Sequence, residues 1–232
     1  MAKDDRPKEV RELQQLAEMV ALPDDEMLRV YVMRSRETPS KPNEVSRAGG
    51  PPVGVTEQTR PRHEDGYMQH LITVDLAETP ELRTVDRLAG VRAVAVFIRD
   101  AMANDAFVPE SGETAVVLLA DDDVARGVWT GGSVADPPSR TLELYPVDVP
   151  ARAFEDNDDF YVDEPTAGIR TLWDLHCKLM SASRIGGPVI HFSGTDRTAG
   201  FLLQFSEFIV DVNLGDAGTM YVYVDDAYWS GH

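Results

Sequence analysis

The chain has 232 residues and an ordinary apolar fraction of 43%, which suits one large domain or two small ones with a substantial core. Its 40 acidic and 22 basic side chains give a formal net charge of −18, and residues 64–232 carry the whole excess, with 29 acids against 11 bases. Such a surface repels nucleic acid and anionic membranes, so we expect neither as a partner. It suits a basic protein partner, although a surface that only serves solubility has the same composition.

Compartment is predicted from the cysteine count and from the N-terminus. A single cysteine, Cys177, leaves no disulfide within the chain. The first residues are charged and lack the apolar core of a secretion signal, and no stretch approaches the roughly 18 apolar residues of a transmembrane helix. These features predict a cytoplasmic protein that does not enter the membrane.

The predicted elements begin with a helix over residues 5–22, which Pro23 ends. Its apolar side chains recur at helical spacing, and we expect them to pack on the rest of the protein; binding to a partner is the alternative. Residues 1–27 are therefore predicted to be an N-terminal helical segment. The stripe consists of Val10, Leu13, Leu16, Ala17 and Val20.

Most of the remaining elements read as strands. A short helix opens at Thr79 and closes at Gly90, and a longer one covers residues 169–182. Residues 35–66 are rich in proline and glycine and are predicted to be loop. Pro146 places its strand at an edge or a bulge. The predicted strands are 28–33, 68–76, 91–98, 114–120, 141–149, 188–192, 200–210 and 219–224.

An acidic run covers residues 155–164, with six acids and no base. It lacks the glycine and the closing glutamate of a calcium-binding EF-hand loop, so a solvated loop is favoured over a metal site. We expect no metal and no cofactor. Four acids of this run are predicted to face a partner: Glu155, Asp156, Asp158 and Asp159.

Catalytic motifs give no support for an enzyme. His176 lies on the apolar stripe of its helix, which favours a structural role, and Cys177 has no evident activating neighbour. Zinc-ligand spacing, a nucleotide-binding Walker loop and a Gly-x-Ser-x-Gly elbow are all missing from the sequence. The sequence assigns no reaction and favours a protein that is not an enzyme.

Three short segments occur twice in the same order, as expected for two related halves. Residues 47–51 (Arg-Ala-Gly-Gly-Pro) parallel residues 184–188 (Arg-Ile-Gly-Gly-Pro) at an offset of 137. The other two pairs are 71–75 with 202–206 and 97–100 with 223–226, at offsets of 131 and 126. Each match falls on a predicted strand or turn, so the order favours an internal duplication, with halves at about 28–120 and 141–228.

These segments resemble the YwqG-like family, also called DUF1963. Its members show a Gly-Gly-x-Pro element, a Leu-x-x-Gln-Ile strand and, later, a Leu-Leu-Leu-Gln-Ile strand followed by Trp-Gly-Asp-x-Gly. The chain matches at residues 49–51, 202–205 and 215–224. It departs from the pattern at Thr73, where members have glutamine, at Leu214, where they have tryptophan, and in ending soon after the final strand.

The resemblance covers residues 28–228 and implies a single YwqG-like domain of the α+β class. Two related halves built on antiparallel sheets, with a few helices, would form it. The family implies no reaction. Some members resemble components of bacterial toxin–immunity loci.

Two functions follow as hypotheses. The first is a cytoplasmic, non-enzymatic acidic module that binds a basic protein, in the manner of an immunity-type inhibitor of a basic toxin or effector. The alternative is an enzyme or small-ligand-binding protein with a site in the cleft between the halves. The candidate binding residues of that cleft are Gly49, Gly50, Gly186, Gly187, Gln204 and Asp216. For Gln204 and Asp216 a structural role is favoured over ligand binding: Gln204 would satisfy backbone groups in a sheet, and Asp216 would hold its turn.

Overall fold

The structure is a computed structural model of the chain. It describes residues 4–64, 66–82, 86–99, 112–131, 134–155, 160, 165–190, 199–214 and 218–230.

Strands dominate the described residues. The α-helices are Lys8–Val20 (α1), Asp121–Val124 (α2), Ala167–Ser181 (α3) and Glu207–Val210 (α4). The first six strands are Met27–Arg36 (β1), Arg47–Ala48 (β2), Arg62–His63 (β3), Gly66–Tyr67 (β4), Gln69–Asp75 (β5) and Ala93–Ile98 (β6). The remaining strands are Thr114–Leu119 (β7), Arg140–Pro150 (β8), Arg184–Ile185 (β9), Phe201–Ser206 (β10), Thr219–Tyr223 (β11) and Ala227–Ser230 (β12).

Ten of these strands form one sheet in the order β12-β11-β10-β9-β1-β8-β2-β5-β6-β7, and β3 and β4 form a separate hairpin. The pairs in the sheet are antiparallel. The sheet curls so far that its two end strands come into contact. The Thr114 hydroxyl on β7 donates a hydrogen bond to the carbonyl oxygen of Ala227 on β12. The fold is an α+β structure built mainly on an antiparallel, nearly closed sheet, which confirms the predicted class.

The middle of the sheet is the long pair β1–β8, which runs in register from Met27 opposite Pro150 to Arg36 opposite Thr141. The outer neighbours of this pair are two-residue strands, β9 beside β1 and β2 beside β8. Pro146 lies opposite Tyr31, beyond the two residues that β2 covers. A proline is tolerated there because no described strand needs its missing N–H, although β8 is central by order.

Apolar side chains cover both faces of the central pair. On one face, α1 and α3 pack against β1 and β8, and the stripe of α1 is buried as predicted. On the other face, strands from both ends of the sheet share one core. That core includes Leu71, Val74, Leu203, Val222 and Met33.

Three predicted elements differ from the structure. In place of a helix from Thr79 to Gly90, the described residues of this segment contain the 3-10 turn Asp86–Leu88. The strand predicted over 200–210 ends at Ser206, where α4 begins and closes on Asp211 in the left-handed region. β12 was not predicted, because its four residues follow a turn too closely to show alternation. The strand predicted over 188–192 is wrong for residues 188–190, which form no strand, and its last two residues lie outside the described residues.

Backbone constraints at two glycines have different causes. Gly187 has a φ of +69°, and a Cβ there would lie 2.6 Å from the Phe154 ring. Gly218 does not have a positive φ, but a Cβ there would lie 2.3 Å from the Leu214 carbonyl oxygen. The expectation that at least one of them has a positive φ is confirmed at Gly187.

We predict that Gly187→Val lowers the free energy of unfolding by more than about 2 kcal/mol, because it combines a left-handed backbone with a clash. Gly168→Ala is the matched control: Gly168 lies in α3 with open space around a built Cβ. It should change stability by less than about 1 kcal/mol, in the stabilising direction. Urea unfolding followed by circular dichroism measures both, and equal midpoints for Gly187→Val and the parent chain would contradict the prediction.

Candidate functional site

The first glycine pair lies in a turn held by a buried arginine. The Arg47 guanidinium donates to the carbonyl oxygens of Lys41 at 3.0 Å and Pro51 at 3.3 Å, and also to that of Glu44. Burial lowers the pKa of Arg47. Gly49 and Gly50 are buried with positive φ, and a Cβ on Gly49 would lie 2.3 Å from the Pro138 carbonyl oxygen. The turn is therefore closely covered by its own chain.

The second glycine pair is held in the same way by Arg184. Its guanidinium donates to the carbonyl oxygens of Leu179 at 3.1 Å, Gly186 at 2.5 Å and Pro188 at 2.7 Å. The cation also lies between two aromatic rings, 5.0 Å from that of Phe154 and 5.3 Å from that of Phe201. Complete burial lowers the pKa of Arg184 to about 9.

Gln204 is buried at the end of α3. Its side-chain amide donates to the carbonyl oxygens of Met180 at 2.6 Å and Ala182 at 3.0 Å, where the helix leaves its last carbonyls without partners. Its Oε1 has no hydrogen-bond partner among the described residues. Gln204 thus caps the helix C-terminus and lies beside Arg184, which it faces across the β9–β10 pair.

The remaining predicted site residues are spread over the molecule. β2 and β9, which lead into the two glycine turns, are separated in the sheet by β1 and β8. Glu155 is exposed and follows the 3-10 turn Ala151–Phe154. Asp156, Asp158, Asp159 and Asp216 lie outside the described residues.

A recess of about 400 Å³ lies beside Gly187 and combines residues of both predicted halves. Its lining is mainly apolar, with Asp86 and Arg87 as its charged side chains. The lining residues are Leu82, Asp86, Arg87, Leu88, Gly187, Pro188, Gly200, Phe201, Leu202 and Val224.

A second recess, of about 420 Å³, also reaches Gly187 and contains a hydrogen-bonded ionic cluster. Arg29 lies 2.8 Å from a carboxylate oxygen of Asp148 and 3.3 Å from one of Glu81. The Tyr31 hydroxyl donates to Glu81. Burial and this carboxylate raise the pKa of Tyr31 to about 12, so the phenol stays protonated and keeps the proton that it donates to Glu81.

A groove of about 560 Å³ runs between α1, α3, β1 and α4. Its cations are paired with carboxylates: Arg34 with Glu9 at 2.8 Å and Arg140 with Asp211 at 2.6 Å. The Ser183 hydroxyl accepts from the backbone N–H of Ser206 at 3.0 Å, which gives it a structural use. The lining combines these paired charges and hydroxyls with apolar side chains such as Leu13, Met33 and Ile209.

A different kind of surface lies where α1 turns into β1. We call residues 18–27 the α1–β1 corner. Met19, Leu22 and Met27 are 72%, 58% and 45% exposed there, and the carboxylates of Glu18, Asp24 and Glu26 are exposed beside them. Sequence reasoning missed this surface. The available signal was that Met19 is a large apolar residue off the buried stripe of α1.

The histidine and the cysteine singled out in the sequence lie together on α3. His176 is buried, with Nδ1 3.0 Å from the Ala153 carbonyl oxygen, as its helix position predicted. Burial raises the pKa of the Cys177 thiol, which opposes thiolate formation. Within the described residues there is no group of three or more side chains arranged to hold a metal ion. No described helix has the length and apolar character that crossing a membrane requires.

Comparison of the sequence with models of protein families gave no match, and comparison with curated proteins gave none either.

His70 packs against the turn that contains Gly49 and Gly50, and its protonation reports on that turn. It is fully buried, with Nδ1 2.8 Å from the Gly50 carbonyl oxygen and Nε2 2.8 Å from the Thr73 hydroxyl. A carbonyl oxygen can only accept, so Nδ1 carries the proton of the neutral ring and the Thr73 hydroxyl donates to Nε2. Burial, with the charges of Arg60 and Arg47, lowers the pKa of His70 to about 4.

We predict that His70 makes folding sensitive to acid. In the unfolded chain the ring takes up a proton near its ordinary pKa of about 6.5, whereas the folded ring resists until about pH 4. The neutral His70 ring thus adds about 3 kcal/mol to the free energy of unfolding above about pH 6.5. This contribution is lost as the pH falls from about 6.5 to 4.

Urea unfolding of the parent chain and of His70→Gln across this range isolates the effect. The parent should lose about 3 kcal/mol more than the variant between pH 7 and pH 4, although the variant starts less stable. Parallel stability–pH curves would contradict the assigned environment of His70.

Proposed function

We propose that the protein is a non-enzymatic binding protein whose acidic surface engages a basic protein partner. The observation that carries the proposal is how the described cations are used. Arg29, Arg36 and Arg140 each lie within 2.8 Å of a carboxylate oxygen, and further arginines are buried against carbonyl groups. These cations are bound to groups of the protein itself. The remaining carboxylates therefore dominate the electrostatic field at the surface that an approaching protein meets.

The structural contacts of the motif residues support a binding surface elsewhere on the molecule. Gly49 and Gly50 are covered by their own chain, and Gln204 caps α3. These contacts account for the residues without any ligand. The α1–β1 corner, in contrast, offers exposed carboxylates next to exposed apolar side chains.

An internal duplication, with the YwqG-like resemblance that first suggested it, is part of the proposal. Two strand pairs support it. Arg47 lies opposite Thr73, and Arg184 lies opposite Gln204; the two arginines are 137 positions apart and their partners are 131 positions apart, which are the predicted offsets. The residues that pair with Thr73 and Gln204 on their other side are 126 positions apart, which is the third predicted offset. On that side Thr73 pairs with Ala95 and Gln204 pairs with Tyr221. In addition, β5 and β10 each carry a register shift at matching positions.

The same hydrogen bonds also occur within each of the two proposed halves. A glycine N–H in each turn donates to a leucine carbonyl oxygen, and a serine hydroxyl just before each arginine accepts a backbone N–H at 3.0 Å. The glycine bonds are Gly49 to Leu71 and Gly186 to Leu202, and the serine bonds are Asp75 to Ser46 and Ser206 to Ser183.

The resemblance adds a biological setting to the proposal. A cytoplasmic protein that covers the basic surface of a toxin or effector would act as an immunity-type inhibitor. The excess of acids in residues 64–232 suits this role, since complementary charge accelerates the encounter of two proteins.

A small-ligand-binding function remains the second candidate, and the recess beside Gly187 favours it. The recess joins residues of both proposed halves, and its apolar lining with few charged groups is typical of ligand sites. An apolar ligand there would bind with little dependence on salt, which separates the two candidates in the titration described next.

We predict that association with the natural partner is electrostatically steered. The partner is captured from the native host with this protein as bait, and its association rate is then measured by surface plasmon resonance. Raising salt from about 0.05 M to about 0.5 M should slow association several-fold, because the screening length falls below about 5 Å.

Charge reversal tests the same prediction from the side of the protein. Replacing Glu155, Asp156 and Asp158 by lysine should slow association several-fold and leave the melting temperature almost unchanged. Asp122→Lys, at the exposed start of α2, is a control for a change of net charge on another surface. If the association rate changes neither with salt nor with the three lysine substitutions, the proposal loses its electrostatic support.

A further inference from the structure

Exposed apolar side chains are concentrated at the α1–β1 corner. Four large hydrophobic side chains are exposed in the part of the chain that the structure describes, and three of them, Met19, Leu22 and Met27, lie in this corner. The fourth, Phe208, lies on α4. Three such residues lie within nine positions of one chain turn, and exposed apolar side chains concentrated in one segment mark candidate protein interfaces.

The corner is held in one conformation by its own hydrogen bonds. The Asp25 carboxylate accepts the Leu22 N–H at 2.8 Å, and the Asp25 N–H donates to the Leu22 carbonyl oxygen at 3.1 Å. Arg152 donates to Asp25 at 3.1 Å and to the carbonyl oxygen of Val20. A surface fixed in this way loses little conformational entropy when a partner binds.

Exposed carboxylates alternate in sequence with the apolar side chains of the corner. Glu18, Asp24 and Glu26 are exposed, and Glu155 follows the turn that carries Arg152. Arg152 itself is committed to Asp25 and Val20, so its charge is matched within the corner. An apolar centre with an acidic rim selects a partner with apolar side chains flanked by lysine or arginine.

We infer that the α1–β1 corner is the docking surface for a basic, amphipathic segment of another protein. The inference rests on the proposed function and adds to it a location and a partner chemistry. Apolar side chains of the partner contact Met19, Leu22 and Met27, and its cations face Glu18, Asp24 and Glu26. A second copy of this chain is a poor occupant, because it would bring one acidic rim against another.

The test uses the full chain and a synthetic amphipathic helix of leucine and lysine, with a serine-and-lysine peptide of equal charge as the control. Fluorescence anisotropy at about 0.1 M salt measures binding. The leucine peptide should bind at least about 10-fold more tightly than the serine peptide. Met19→Ser with Leu22→Ser should remove most of that advantage.

Phe208→Ser is the matched control variant, because it removes an equally exposed apolar side chain from another surface. It should leave peptide affinity within about 2-fold of the parent value. Amide chemical-shift mapping on the unmodified protein locates the peptide independently of any variant, and the largest shifts should fall on residues 18–27.

The outcomes separate the location from the function. Equal losses in the two serine variants, or shifts centred on another acidic face, would overturn the corner as the docking surface while leaving a basic partner in place. A dimer in sedimentation analysis that Leu22→Ser abolishes would also overturn it, in favour of a second copy. Salt-independent association with the captured partner would instead overturn the proposed function itself.

Discussion

The structure depends on arginine side chains that donate to backbone carbonyl groups in the interior. Arg184 is the clearest case, since its guanidinium reaches the carbonyl oxygens of Leu179, Gly186 and Pro188. β9 has only two residues, so ladder hydrogen bonds alone cannot fix the turn that follows it. A buried cation is costly unless its donors are satisfied, and here carbonyl dipoles and two aromatic faces supply the compensation. The turn, the end of α3 and the entry into β10 are thereby joined at one point.

The same device recurs and links the fold to the surface. Arg47 holds the first glycine turn, Arg60 donates to the carbonyl oxygen of Met68 at 2.8 Å, and Arg152 fixes the α1–β1 corner through Val20. Each of these cations is used inside the structure or in an ion pair. The carboxylate excess therefore dominates the outside, and a negatively charged corner with exposed apolar side chains is a consequence of how the interior is held together.

Much of the fold could be predicted from residue patterns, and the failures have physical causes. Alternating or continuous apolar runs located β1, β5, β6 and β7, and helical spacing located α1 and α3. The segment from Thr79 to Gly90 has good helix caps, but its described residues include a 3-10 turn, Asp86–Leu88, that buries Leu88, so packing outweighs propensity. The chemistry around Gln204 could not be predicted, because its partners on α3 are more than 20 positions away in the sequence. The α1–β1 corner was missed because exposure is a property of the packed structure, and a single apolar residue off the stripe is a weak signal.

The central claim is that the two arginine-held turns join one continuous sheet into a single cooperative unit. Native-state hydrogen exchange of the Gly49 and Gly186 amides tests it most directly, because these N–H groups donate to Leu71 at 2.7 Å and to Leu202 at 3.0 Å. Both amides should exchange only through global unfolding, with free energies that agree within about 1 kcal/mol and equal the value from urea unfolding. Exchange of one amide at a free energy lower by several kcal/mol would mean that one side of the sheet opens independently, and would contradict the account.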